Sequence, residues 1–143
     1  MKKFLLTVAV LVAILVSWSQ TREMPGTPGI SIALADEIEQ AFQNRTSNIQ
    51  VTGEGRVAKL LPDDKVGSRH QRFILRLASG QTVLVAHNID LAPRLDSIKS
   101  GDSISFHGVY EWSPQGGVIH WTHLDPSGRH SPGWLKHAGK TVQ

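Results

Sequence analysis

Two periodicities divide the chain. Between Ile30 and about Asn44, apolar Ile30, Leu34, Ile38, Ala41 and Phe42 recur at spacings of three and four. That repeat places them on one face of an amphipathic α-helix, with Ser31 as its candidate N-cap. From Ile49 the period drops to two. Ile49 to Leu61 reads as a long first strand, in which Gly53 and Gly55 signal a bulge or a close backbone approach. After a turn-rich loop over residues 62–68, Arg69 to Ala78 alternates. Gln71, Phe73, Leu75 and Leu77 lie on one side, and His70, Arg72, Ile74 and Arg76 on the other. Ser79-Gly80 reads as a two-residue hairpin turn into a third strand, Gln81 to Asn88. A connector over residues 89–100 has room for one helical turn. Asp102 to Trp112 is a fourth strand with Ile104, Phe106 and Tyr110 in phase, and Ser113 to Gly117 turns it into a fifth, Val118 to about His123. Residues 124–143 read as irregular.

This pattern predicts a mainly β chain: a small five-stranded Greek-key barrel of the OB type, preceded by a short amphipathic helix. A lipocalin-like barrel needs about three more strands, and a sandwich about two more. A two-residue turn at Ser79-Gly80 pairs Leu77 with Thr82, Leu75 with Leu84 and Phe73 with Ala86 on the core face. The outer face then pairs Arg76 with Val83, Ile74 with Val85, Arg72 with His87, and His70 with Ile89. His70, Arg72, Arg76 and His87 thus form one outer row over Ile74 and Val83, on the face where OB barrels usually bind ligands.

The first residues change the picture of location. Met1-Lys-Lys precedes Phe4 to Val16, thirteen residues of which only Thr7 is polar. This is the core of an export signal and is short for a membrane span of about twenty residues. Residues 1–19 are therefore either a signal peptide cleaved before Gln20 or a retained N-terminal anchor. Residues 20–48 are a Pro/Gly-punctuated spacer and the helix, and residues 49–143 the barrel. The expected location is the periplasm, free or anchored to the inner membrane, with membrane contact through the N-terminal segment alone. The chain has no cysteine, so neither disulfides nor a lipid-modified cysteine contribute. Residues 49–143 carry eleven basic and eight acidic groups. That mild excess suits an anionic partner and falls short of the dense basic patch of a nucleic-acid binder. The outer row also lacks aromatic platforms for single-stranded bases.

Candidate chemistry concentrates near the end. Gly117 to Trp134 holds three of the seven histidines and two of the four tryptophans, and imidazoles bind metals, move protons and pair with anions. Three sets of candidates follow. As ligand-binding residues the sequence offers Arg69, His70, Gln71, Arg72, Arg76, His87, Asn88, Asp90, Arg94, His120, Arg129 and Trp134. As general acids or bases it offers His70, His87, His123 and His130, with Arg72, Arg94 or Arg129 stabilising negative charge. As ligands of a divalent metal such as zinc it offers two or three of His70, His87, His120, His123 and His130 with Asp125 or Asp90. His120-Trp-Thr-His123 is a weak metal signal, because residues three apart in a strand face opposite sides. His107 and His137 read as surface residues, and Asp125-Pro-Ser-Gly as a turn. No nucleophile motif is present.

The motifs Gly-Glu-Gly-x-Val from Gly53, Leu-Pro-Asp-Asp from Leu61 and Ser-Arg-His-Gln-Arg-Phe-Ile from Ser68 run into Leu-Val-Ala-His-Asn-Ile-Asp-Leu-Ala-Pro-Arg from Leu84. Gly-Gly-Val-Ile-His-Trp-Thr-His from Gly116, Asp-Pro-x-Gly-Arg-His from Asp125 and Gly-Trp-Leu-Lys-His from Gly133 complete the set. Across residues 50–143 the chain resembles a domain-of-unknown-function family of small exported bacterial proteins. The resemblance implies no reaction; its motifs coincide with the His and Arg clusters. The favoured expectation is an exported OB-like module that binds an anionic or sugar-like ligand through a composite His/Arg site. In that site the Gly117 to Trp134 stretch is one wall of the barrel mouth, with 125–134 as lid or plug. The alternatives are a hydrolase or lyase, metal-assisted or not, and a structural partner-binding domain.

Overall fold

The computed structural model describes residues 28–143. The export segment and most of the spacer lie outside the described residues. No helix among the described residues is long and apolar enough to cross a membrane. Helix α1 runs Pro28–Gln43, so Ser31 lies within it rather than at its cap. Ala35, Ile38 and Ala41 are buried in the same apolar cluster as the strands, which makes the helix part of the barrel's core. Its end is held by a C-terminal motif in which the Thr46 amide reaches back to Ala41 O at 2.9 Å and Arg45 adopts a left-handed φ of 52°. Trp112 anchors this end: its ring stacks on Phe42, its indole N–H donates to Phe42 O at 3.1 Å, and Arg45 lies over its face. Ile38→Val should lower unfolding stability by about 1 kcal/mol in denaturant titrations, the usual cost of one buried methyl.

The strands are β1 Ile49–Asp64, β2 His70–Leu77, β3 Thr82–Asn88, β4 Ser103–Glu111, β5 Val118–His120, β6 Trp134–His137 and β7 Lys140–Val142. Their order is β1-β2-β3-β5-β4, and β4 also pairs with β1. The first five strands therefore close into a ring, with β3 and β5 parallel and the other pairs antiparallel. This is the OB-type Greek-key barrel expected. The predicted phases of β2 and β4 hold: Phe73, Leu75, Leu77, Ile104, Phe106 and Tyr110 all point into the core. Gly53 and Gly55 mark close approaches, to the Phe106 ring and to the Arg76 carbonyl. The β1 bulges lie further on, between Val57 and Lys59 and between Leu61 and Asp64.

Three expectations are corrected. First, residues 124–143 are not wholly irregular. β6 and β7 form a hairpin that continues the sheet along β4 and adds Leu135 and Val142 to the core. Second, the β3–β4 connector holds turns and no helix. Third, the β2–β3 turn has three residues, Ala78-Ser79-Gly80. Gly80 is at φ 89°, Leu77 N–H donates to Gln81 O, and Gly80 N–H donates to Leu77 O. The pairing is therefore Arg76 with Thr82, Ile74 with Leu84, Arg72 with Ala86, Gln71 with His87 and His70 with Asn88. A shift of one residue moves every β3 side chain to the opposite face, so His87 enters the core and Ala86 takes the outer position.

Candidate functional site

The buried pair Gln71 and His87 closes the barrel end opposite the β2–β3 turn. The Gln71 carboxamide bonds main-chain N–H and C=O of Leu95, both at 2.9 Å. His87 is fully buried and sits between Thr122 Oγ1, 2.8 Å from Nδ1, and Pro93 O, 2.9 Å from Nε2. A carbonyl only accepts, so Nε2 carries the proton and Nδ1 accepts from the Thr122 hydroxyl. Burial pushes the imidazole's pKa down from its ordinary value. The Pro93 hydrogen bond opposes this, and the nearby His123, His70 and Arg94 charges reinforce it. His87, expected on the outer ligand face, and Gln71, expected among the ligand-binding residues, thus join the connector and the 121–133 loop to the barrel wall.

That loop is an extrusion from one strand. β4 pairs Val109 with His120 and His107 with Trp134. Two steps along β4 thus span fourteen steps of its partner, and the thirteen residues 121–133 leave the sheet. Trp121 makes the exit with a left-handed φ of 52°, a strained conformation for a bulky residue. The loop closes where Gly133 N–H donates to His123 O at 2.9 Å. At its tip the Asp125 carboxylate accepts from the Ser127 amide and hydroxyl and from the His130 and Arg129 amides. These bonds, the Ser127 amide foremost, hold its pKa down at about 2. Asp125 is therefore a loop hub, not a metal ligand. The His130 ring stacks on Trp121 with centroids 4.2 Å apart, and His123 lies 5.1 Å away at a tilt.

The loop's base overhangs the outer face of β2, β3 and β5. There His70, Ala86, Asn88, Leu91, His120, Trp121 and His123 enclose a hollow of about 190 Å³. Ala86 lies between Arg72 on β2 and the start of the loop on β5, and its small side chain leaves the space. The hollow's three imidazoles each have one nitrogen engaged. Nδ1 of His70 faces Ser68 O at 2.8 Å, Nδ1 of His123 faces Leu124 O at 2.6 Å, and Nε2 of His120 faces Glu111 Oε1 at 3.3 Å. Since those partners accept, the engaged nitrogen carries the proton in the neutral ring. The other is left as an acceptor. Asn88 Oδ1 is occupied by the Asp90 and Leu91 amides, which leaves its NH₂ as the donor.

The remaining candidates are dispersed. Arg69 pairs with Asp90 at 2.7 Å, tying the β1–β2 loop to the connector, and Arg94 of the connector pairs with Asp63 at the end of β1. Arg72 donates twice to Pro62 O. Arg129 bonds Ser127 within its own loop. Trp134 lies on β6 between the His107 ring and Lys136. His107, expected at the surface, bonds Thr52, and His137 bonds Asp102. Among the described residues no group of three or more His, Asp or Glu side chains is placed to hold a metal ion. The expected metal set His70, His87, His120, His123 and Asp125 is not assembled, because His87 spends both nitrogens inside the core. Ala86, Leu91 and Trp121 are hollow residues absent from the sequence candidates. A three-residue turn signalled by Gly80 would have placed Ala86 on the outer face.

A comparison with curated proteins found no match. The family model described as "Protein of unknown function (DUF3465)" matches residues 26–143, a span that takes in helix α1, the whole barrel and the extruded loop. The chain belongs to this family.

Proposed function

We propose that the domain is an exported binding module that takes a small, hydroxyl-rich, sugar-like ligand in the hollow over Ala86. One observation carries this reading: the hollow's lining has three imidazoles, a carboxamide, an indole and apolar side chains, but no guanidinium, ammonium or carboxylate. Acceptor nitrogens beside an amide donor complement hydroxyl groups, and an apolar floor and wall complement the C–H face of a sugar ring. An anion would meet lone pairs there. At about 190 Å³ the space is below the range of drug-sized sites and suits one ring of a longer chain. The export signal read from residues 1–19 supports an envelope location, where glycans are abundant.

A specific observation favours a second reading. Glu111 lies 3.3 Å from His120 Nε2 and so orients an imidazole whose Nδ1 is left as a base; this is the arrangement a hydrolase or lyase uses. A glycan array probed with the labelled full chain tests both. Wild type is expected to retain a glycan subset, and Ala86→Leu, which fills the hollow from an outward position, to lose at least about tenfold in affinity, some 1.4 kcal/mol. Equal retention by Ala86→Leu, or no retention by wild type, overturns the binding site. Breakdown of a retained glycan that stops in His120→Ala replaces the binder with an enzyme.

A further inference from the structure

A second hollow, of about 310 Å³, lies between β1, β2 and β4 and shares no lining residue with the one over Ala86. Its feature is a cross-strand pair of like charges. β1 and β2 are in register such that Arg56 stands directly opposite Arg76. Like charges in that position repel and destabilise a sheet. Neither guanidinium is in an ion pair among the described residues. Arg56 donates from Nη1 to Gly101 O at 3.1 Å, and Arg76 donates from Nη1 to Gly80 O at 3.4 Å. Glu54, two residues before Arg56 on the same face, lines the same hollow; its Oε1 accepts from the Ser103 hydroxyl and it pairs with neither arginine, so two guanidiniums there face one carboxylate. Each guanidinium has five N–H donors and commits one.

We propose that Arg56 and Arg76 form a binding site for a phosphate group. A phosphate group has enough oxygens to accept from both planar forks at once. A monocarboxylate, with two oxygens, serves one fork. The opposed pair is then a cost carried by the empty protein and relieved by the ligand. It places an anion site in this chain apart from the neutral hollow, although a composite His/Arg site had been expected from the sequence.

Inorganic phosphate titrated into the full chain, against sodium chloride at matched ionic strength, tests this by thermal melting. Wild type is expected to melt higher in phosphate than in chloride, with acetate giving a smaller rise. Arg56→Gln and Arg76→Gln should each weaken apparent phosphate affinity at least about tenfold and should melt no lower than wild type in chloride. Arg72→Gln, whose guanidinium bonds Pro62 O outside this hollow, should keep the rise. Absence of the rise in wild type, its survival in either variant, or an equal loss in Arg72→Gln overturns the site. An acetate effect as large as that of phosphate overturns the phosphate assignment.

Discussion

Gly133→Ala is expected to cost about 3 kcal/mol of unfolding stability, the upper part of the usual range for overpacking, and to release the 121–133 loop. A Cβ at Gly133 would stand 1.8 Å from Trp121 O and 2.8 Å from both His107 O and Thr122 Cα. All three obstacles are main chain, and none can rotate away. The chain's only relief is to separate the loop's two ends, which breaks the Gly133 N–H to His123 O bond and frees Trp121 from its strained exit. Gly128→Ala at the loop's tip is the control. Its Cβ meets nothing within 4 Å, so the penalty is the left-handed backbone alone, about 1 kcal/mol. Denaturant unfolding gives the energies, and tryptophan emission reports the loop. If Gly133→Ala is as mild as Gly128→Ala, the loop is not clamped at its base.

His87→Ala is expected to cost a similar amount, about 3 kcal/mol. It leaves a cavity and strands two buried partners, the Thr122 hydroxyl and Pro93 carbonyl, without their hydrogen bonds. The pH dependence is the sharper signature. With its folded pKa below the ordinary value near 6.5, His87 is neutral in the fold while the unfolded chain takes up a proton as pH drops. Its contribution to stability is fully present above about pH 6.5 and is lost as pH falls through that value toward the lowered one, at a limiting slope of about 1.4 kcal/mol per unit. His87→Gln cannot titrate. Wild-type melting temperature should therefore fall between about pH 6.5 and 5 more steeply than that of His87→Gln. Parallel curves would show that His87 does not govern the acid limb.

Both variants act on the same construction. The connector supplies Pro93 and Leu95, the loop supplies Thr122, and Gln71 and His87 project from neighbouring strands to hold them. The hollow over Ala86 inherits its walls from these two segments, Leu91 from the connector and Trp121 and His123 from the loop. Acidification that protonates His87 should therefore loosen the hollow before it unfolds the barrel. The Asp125 hub, with its pKa near 2, is built to persist through that range.

Features that depend on neighbours along the chain were legible in the residues alone. Alternation at Phe73, Leu75 and Leu77 and at Ile104, Phe106 and Tyr110 set which side of β2 and β4 is buried, because a strand's side chains alternate whatever it pairs with. The three-four spacing of Ile38, Ala41 and Phe42 set the helix face. Strand count set the barrel class. How the strands align with each other emerged only in the folded barrel. β3 carries apolar residues on both faces, Val83 and Val85 on one and Leu84 and Ala86 on the other. Its pattern therefore fits either register, and one extra turn residue sent His87 inward. The same holds for β5 and β6, which are two halves of one ladder along β4. Nothing local in Trp121 to Gly133 says that the chain returns to the edge it left. The hollow joins β2, β3, the connector and this loop, so it exists only once those long-range pairings are made.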